Sequence, residues 1–190
     1  MSEDIRSLEA RCAICLKCPL GATRTRPVFG VGKVPSELMF IGEGPGEQED
    51  LQGEPFVGAA GKLLDEMLSI IDLGRDNCYI ANVVKCRPPG NRDPKEEEQA
   101  ACLGWLYEQI RLIQPKIIIC LGRIAAGVLI EKDYRITRQH GQWVRKDNVW
   151  YTAIYHPSAL LRDLNRRPET FLDLLSIREK VREVCPELYQ

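Results

Sequence analysis

Residues 116–122 read KIIICLG, with five consecutive apolar side chains and no polar residue alternating among them. A strand reads this way when both of its faces are buried, and such strands belong to parallel sheets covered by helices on both sides. Residues 38–42 (LMFIG) and 78–86 (CYIANVVKC) have the same character, and residues 142–156 (QWVRKDNVWYTAIYH) predict a hairpin around 146–148 that ends in a strand. Between these runs the apolar spacing is helical. GKLLDEMLSIIDLG (61–74) predicts a helix that stops at Gly74. DPKEEEQAACLGWLYEQIRLI (93–113) predicts one capped by Asp93, with Pro94 in its first position. RIAAGVLI (123–130) and PETFLDLLSIREKVREVC (168–185) predict two more. Strand and helix alternate, so the expected fold is α/β, a three-layer αβα sandwich around a central, mainly parallel sheet. At 190 residues the chain fits one domain, 1–190, with a cysteine-bearing lobe at about 12–36.

Ligands of open parallel sheets bind beyond the C-terminal strand ends. The stretches to read are therefore GEGPGEQED (42–50), KCRPPGNR (85–92), LGR (121–123) and HPSALLR (156–162). The first is not a dinucleotide fingerprint, because Glu47 stands where G-x-G-x-x-G needs its last glycine. It is not a Walker loop either, since no Gly-Lys-Ser/Thr follows. Its glycines let backbone approach something flat or small, and its carboxylates suit hydrogen-bond donors or a water. A simple strand-closing turn is the plain alternative. Asn82 offers an acceptor and a donor side by side, as the edge of a nucleobase requires, and Phe56 offers a stacking face. His156, followed by Pro157, is placed to donate into a cleft. Leu160, Leu161 and Arg162 are expected on an exposed loop, as a wedge and a phosphate contact. The opposing reading makes His156 a cap and the leucines core.

Charge is uneven. Residues 111–167 hold eleven Lys/Arg against four Asp/Glu, whereas residues 1–66 hold seven against eleven. The basic segment is compatible with a nucleic-acid face, although a solvated surface gives the same count. The N-terminal MSEDIRSLEARC is polar and no apolar run approaches membrane-spanning length, so a cytoplasmic protein with no membrane partner is expected. There are eight cysteines, which in a reducing compartment favour metal or cluster ligation over disulfides. Cys12, Cys15 and Cys18 form C-x2-C-x2-C; Cys86 and Cys102 have fifteen residues between them, outside zinc-ribbon spacing. Zinc and an iron–sulfur centre both remain open on spacing alone. Cys78 and Cys120 lie in apolar strands and read as core thiols.

C-x2-C-P, TRTRPVFG, GEGPGEQED, G-x-PFVG-x-AG, Y-x-x-N-x-V-K-C-R-P-P-x-N-R-x-P and HPSALLR occur in that order over about residues 12–185. Together they closely resemble family 4, the iron–sulfur uracil-DNA glycosylases. The resemblance implies an enzyme of base excision repair that flips uracil out of single- or double-stranded DNA and hydrolyses its N-glycosidic bond. It implies a [4Fe–4S] cluster on Cys15, Cys18, Cys86 and Cys102, with Cys12 extra to the pattern. It implies that Phe56 stacks on uracil, that Asn82 reads its O4 and N3–H edge, and that His156 donates to O2. Gly42 and Gly44 would line the base, Glu49 would wall off its C5 edge, and Glu43 would handle the water. Gly44 stands where the best-known branch of the superfamily carries its water-orienting aspartate. Leu160 and Leu161 would fill the gap in the stack while Arg162, Arg166 and Arg167 bind phosphates. The protein would act as a monomer; a replication-clamp contact is a further partner that no motif establishes. The competing functions are a non-catalytic nucleic-acid module on the same fold, a glycosylase for another deaminated base, and a zinc-bearing nucleotide hydrolase.

Overall fold

The computed structural model describes residues 4–190; residues 1–3 of the expected 1–190 domain lie outside the described residues. Its strands are β1 (Val31–Gly32), β2 (Leu38–Gly42), β3 (Tyr79–Asn82), β4 (Ile117–Leu121), β5 (Val144–Lys146) and β6 (Val149–Ile154). Its α-helices are α1 (Ile5–Ala13), α2 (Leu20–Thr23), α3 (Glu47–Gln52), α4 (Ala59–Ile70), α5 (Glu96–Ile113), α6 (Arg123–Leu129), α7 (Ile136–Gln139), α8 (Pro157–Arg162) and α9 (Arg167–Val184). The strands form one sheet in the order β1-β3-β2-β4-β6-β5. β3, β2, β4 and β6 run parallel, and β1 and β5 close the edges antiparallel.

The continuous apolar runs have the expected cause. Successive strand residues point to opposite faces. Leu38, Phe40, Ile80, Ile117, Ile119, Leu121 and Ile154 pack against Leu64, Met67 and Leu68 of α4 and Leu174, Ile177 and Val181 of α9. Met39, Ile41, Ala81, Ile118, Cys120 and Ala153 pack on the other side, with Leu8 and Cys12 of α1, Trp105 and Leu106 of α5, and Ala125 and Ala126 of α6. Two cores flank one sheet, which is the αβα sandwich. Cys78 and Cys120 are buried within these cores. Among the described residues, no helix is long and apolar enough to cross a membrane.

Three expected boundaries move. α4 ends at Ile70, because Asp72 takes the left-handed position (φ 60°) and Leu73 donates back to the Leu68 carbonyl; Gly74 is extended. β3 stops at Asn82 rather than continuing to Cys86, since its neighbour β2 ends opposite at Gly42. The chain then turns to the N-terminal lobe, where Val28 N–H donates to the Lys85 carbonyl at 2.7 Å. Asp93 does not cap α5. The helix begins after Lys95, whose N–H is accepted by Glu98 Oε2 at 2.8 Å, and Arg92 grips both oxygens of the same carboxylate.

Candidate active site

The C-terminal ends of β2, β3, β4 and β6 open into a cavity of about 650 Å³, within the usual range for a small-ligand site. Glu43, Gly44, Glu49, Phe56, Asn82, His156, Arg162 and Arg166 all line it. Sequence positions as distant as 43 and 156 meet there because each follows a strand of the same parallel set.

Asn82 is the last residue of β3 and is only 2% exposed. Its Oδ1 is buried without a hydrogen-bond partner. A buried carbonyl oxygen left unpaired is costly, and native proteins rarely tolerate one without a functional reason. Gly42 makes room for it: a Cβ there would stand 2.5 Å from Asn82 Oδ1 and 2.6 Å from Phe56 Cζ. A Cβ at Gly44 would stand 2.6 Å from Val84 Cγ2, so close packing, and not only the turn, excludes a side chain at that position.

Phe56 is held from behind. Its backbone sits at φ 55°, an uncommon conformation for a bulky residue. Arg75 donates to the carbonyls of Pro55 (3.1 Å) and Phe56. Glu49 Oε1 accepts from the N–H groups of Val57 and Gly58, both at 2.9 Å. Glu49 thus anchors the Phe56 loop as well as lining the cavity. α4 can approach this loop only because residue 61 lacks a side chain, since a Cβ at Gly61 would fall 1.8 Å from the Phe56 carbonyl oxygen. Gly61→Ala is expected to destabilise the fold by about 1–3 kcal/mol through overpacking, a drop of roughly 2–12 °C in melting temperature. Thermal unfolding followed by circular dichroism checks this, and an unchanged melting temperature would refute it.

The other carboxylates of GEGPGEQED also have local duties. Asp50, 4% exposed, accepts from Thr25 N–H at 2.9 Å and Arg26 N–H at 3.4 Å, tying the N-terminal lobe to α3. Glu47 pairs with Arg87 at 3.5 Å. Glu43 behaves differently. Burial and the like charge of Asp93, which also hydrogen-bonds it, raise its pKa to about 7, against the pull of Arg123 and Arg162. Asp93 is itself paired with Arg123. The sequence reading gave neither Asp93 nor Arg123 a place in the site, because it spent Asp93 as a helix cap.

His156 sits at the N-cap of α8. Its Nδ1 accepts from Ser158 N–H at 3.1 Å and lies 2.8 Å from Ser158 Oγ. With Nδ1 accepting, the ring proton resides on Nε2, free to donate. Burial first, and then Arg162, lower its pKa to about 4, against a raising effect of Glu49. The imidazole is therefore a neutral donor at physiological pH. Its ring stacks beside Phe56 with centroids 5.6 Å apart. The capping role and the donor role, opposed in the sequence reading, coexist on the two ring nitrogens.

The expected wedge needs correction. Leu160 is not on an exposed loop; it lies in α8 and is 2% exposed, part of the core under α4. The short helix turns it inward. Within residues 156–166, Leu161 (41%) and Leu164 (61%) are the exposed leucines, and Leu164 was missed. Arg162 lines the cavity and forms no ion pair among the described residues. Arg166 lines it too but is engaged, donating to Tyr155 Oη at 2.7 Å and pairing with Asp163 and Glu169 at 3.4 Å. Arg167 Nε donates to the Leu160 carbonyl at 3.3 Å.

The cysteines converge beside the N-terminal lobe. Cys86 and Cys102 are buried and Cys15 and Cys18 are half-buried. Their charges act on one another: Cys15 and Cys18 on Cys86, and Cys86 and Cys18 on Cys102. Cys12, also buried, adjoins the group. N–H groups point at three of the sulfurs: Arg24 at Cys86 (3.0 Å), Lys85 N–H at Cys102 (3.2 Å) and Trp105 Nε1 at Cys15 (3.3 Å). A single zinc ion would draw four sulfurs to about 3.8 Å of one another, from Zn–S bonds of about 2.3 Å. Among the described residues, the one group of ligand atoms found within 4.8 Å of one another is Glu37, Cys185 and Glu187, elsewhere in the fold.

A family model described as the uracil DNA glycosylase superfamily matches residues 29–176. The chain is 46% identical over 181 residues to a type-4 uracil-DNA glycosylase of Archaeoglobus fulgidus, covering 90% of this chain and 88% of that protein. It is 43% identical over 196 aligned positions to one of Sulfurisphaera tokodaii, covering 98% and 88%. It is 46% identical over 153 residues to one of Thermotoga maritima, covering 78% and 79%. Matches of this extent run through the whole sheet and every strand end around the cavity, and on them the chain belongs to the uracil-DNA glycosylase superfamily, among its type-4 members.

Proposed function

We propose that the chain removes uracil from DNA, hydrolysing the N-glycosidic bond of a nucleotide flipped into the cavity and leaving an abasic site. The observation that carries this is the unpartnered Asn82 Oδ1 in the cavity lining, in a site whose histidine is held as a neutral donor. Uracil offers an N3–H for that oxygen and a carbonyl for the side-chain amide. Phe56 supplies the stacking face. As the bond breaks, charge develops on the base oxygen, and His156 Nε2–H stabilises it as an oxyanion-hole donor does. The glycine loop lets backbone lie against the base and sugar. Glu43, in its carboxylate form, orients the attacking water and offsets the positive charge growing on the sugar.

The test is release of uracil from a labelled single-stranded oligonucleotide with one central uracil, read by alkaline cleavage at the abasic site, with thymine in place of uracil as control. Intact oligonucleotide from folded protein would make the chain a binding module or direct it to another deaminated base. Flipping costs a few kcal/mol of unstacking and unpairing, so single-stranded uracil and G·U pairs are favoured over A·U. Arg162 serves the phosphates, while Leu161 and Leu164 take the wedge position vacated by Leu160. The reading implies a monomer acting in the cytoplasm.

The pH dependence follows from Glu43. Its pKa lies near 7, and the active form is the carboxylate, so kcat/KM rises with pH through about 7 and then levels off. His156, at about 4, contributes no inflection above pH 5. Glu43→Gln is expected to lower the rate and flatten the rise. Steady-state excision between pH 5.5 and 9 checks this, and a wild-type profile flat from 6 to 8 would remove Glu43 from the role.

Cys15, Cys18, Cys86 and Cys102 hold a [4Fe–4S] cluster in this reading. The N–H···S contacts at Cys86, Cys102 and Cys15 support it, since such bonds tune iron–sulfur centres. When bound, the cluster takes no part in the hydrolysis and cross-links the lobe to the sheet. Iron and sulfide analysis of the purified protein tests it; a colourless zinc protein would refute it.

A further inference from the structure

The chemistry above makes no use of Lys85, which is 1% exposed. A buried ammonium is costly unless it is paired and hydrogen-bonded. Lys85 Nζ donates to the Asn82 carbonyl at 2.7 Å and to Gln109 Oε1 at 2.5 Å, and it lies 6.0 Å from the centre of the Phe29 ring. These partners are neutral. Among the described residues Lys85 forms no ion pair with a carboxylate. Its own N–H donates to Cys102 Sγ, and Cys86 is the next residue. Gln109 is fixed in turn, with Nε2 donating to the Phe29 carbonyl at 2.7 Å and to Tyr79 Oη at 3.3 Å. One side chain therefore spans the distance between the cysteines and the strand end that carries the base-reading amide.

We propose that Lys85 is a positioning residue that joins the cysteine centre to Asn82, acting as the buried counter-charge of the centre's thiolates while clamping the end of β3. The proposal rests on the glycosylase and cluster readings above. Metal-bound thiols are deprotonated, so a filled centre supplies the negative charge that Lys85 otherwise lacks. The ammonium in turn fixes the Asn82 backbone, and with it the direction of the unpartnered Oδ1. Occupation of the centre and base selectivity are thereby linked through a single side chain.

The experiment compares wild type, Lys85→Met and Gln109→Glu as purified full-length proteins. Two quantities are read: the rate at which a chelator removes iron, and the preference for an oligonucleotide carrying a non-cleavable uracil nucleotide over its thymine counterpart. Loss of an outer partner of a metal ligand typically costs roughly 10- to 100-fold, so Lys85→Met should lose iron at least 10-fold faster. Its preference for uracil should fall by a similar factor. Gln109→Glu gives Lys85 a rival carboxylate and should also speed iron loss, which decides the matter if Lys85→Met does not fold. Iron retention at the wild-type rate in the folded variants, or an undiminished uracil preference in Lys85→Met, would overturn the proposal. Folded wild-type protein without iron would overturn the cluster reading beneath it, a result distinct from iron-bearing variants that match wild type.

Discussion

Replacing His156 with alanine is expected to cut uracil excision about 100- to 1000-fold, the usual loss when one preorganised oxyanion donor is removed. The effect should fall on kcat more than on substrate binding. The donor matters most when charge has moved onto the base oxygen, and a neutral imidazole held in place pays no reorganisation at that moment. Two features make the prediction specific. Ser158 N–H occupies Nδ1 and so commits Nε2 to donation. Burial holds the ring neutral, with a pKa of about 4, so the donor is unchanged across physiological pH. Single-turnover excision with excess enzyme separates the chemical step from product release. A His156→Ala protein that binds poorly but cleaves at the wild-type rate would contradict the role. Ser158→Ala should be much milder, because it removes the hydroxyl and leaves the backbone N–H that fixes the ring.

Asn82→Ala is expected to cost roughly 10- to 100-fold in excision, the scale of one bidentate base contact. It should also erode discrimination between bases. Asn82→Asp tests the same residue differently. It keeps the shape and the acceptor but loses the amide donor, so uracil would lose its O4 partner while N3–H kept its own. Alanine also leaves a void in the lining beside Gly42, where a Cβ would stand 2.5 Å from Asn82 Oδ1. Kinetics on uracil, thymine and cytosine oligonucleotides check both variants. Undiminished uracil excision by Asn82→Ala would show that Asn82 does not read the base.

The sheet was legible in the sequence because strands buried on both faces have no polar alternation, and KIIICLG and LMFIG show none. Glu43, Asn82 and His156 were legible because they end or closely follow strands of that sheet. The failures were tertiary. Asp93 carries every local mark of a cap, yet Glu98 reaches back to Lys95 N–H first, and Asp93 is left for Arg123 and Glu43. Leu160 and Leu161 look equivalent in HPSALLR, and only the rotation of a one-and-a-half-turn helix sends the first into the core and the second outward. Gly61 gave no signal within its helical stretch, since its neighbour, the Phe56 carbonyl, belongs to a loop that folds back from outside the helix.

The strand order has a further consequence. Asn82 ends β3 and His156 follows β6, and β2 and β4 lie between them. Three strand spacings separate their backbones by about 14 Å. That gauge is set by backbone hydrogen bonding and is indifferent to loop sequence. Both side chains line the cavity, so on the proposed reading the width offered to a base is set by the sheet itself. Loop changes can alter which groups the base meets, but a wider substrate would need shorter side chains at the two ends of the gauge.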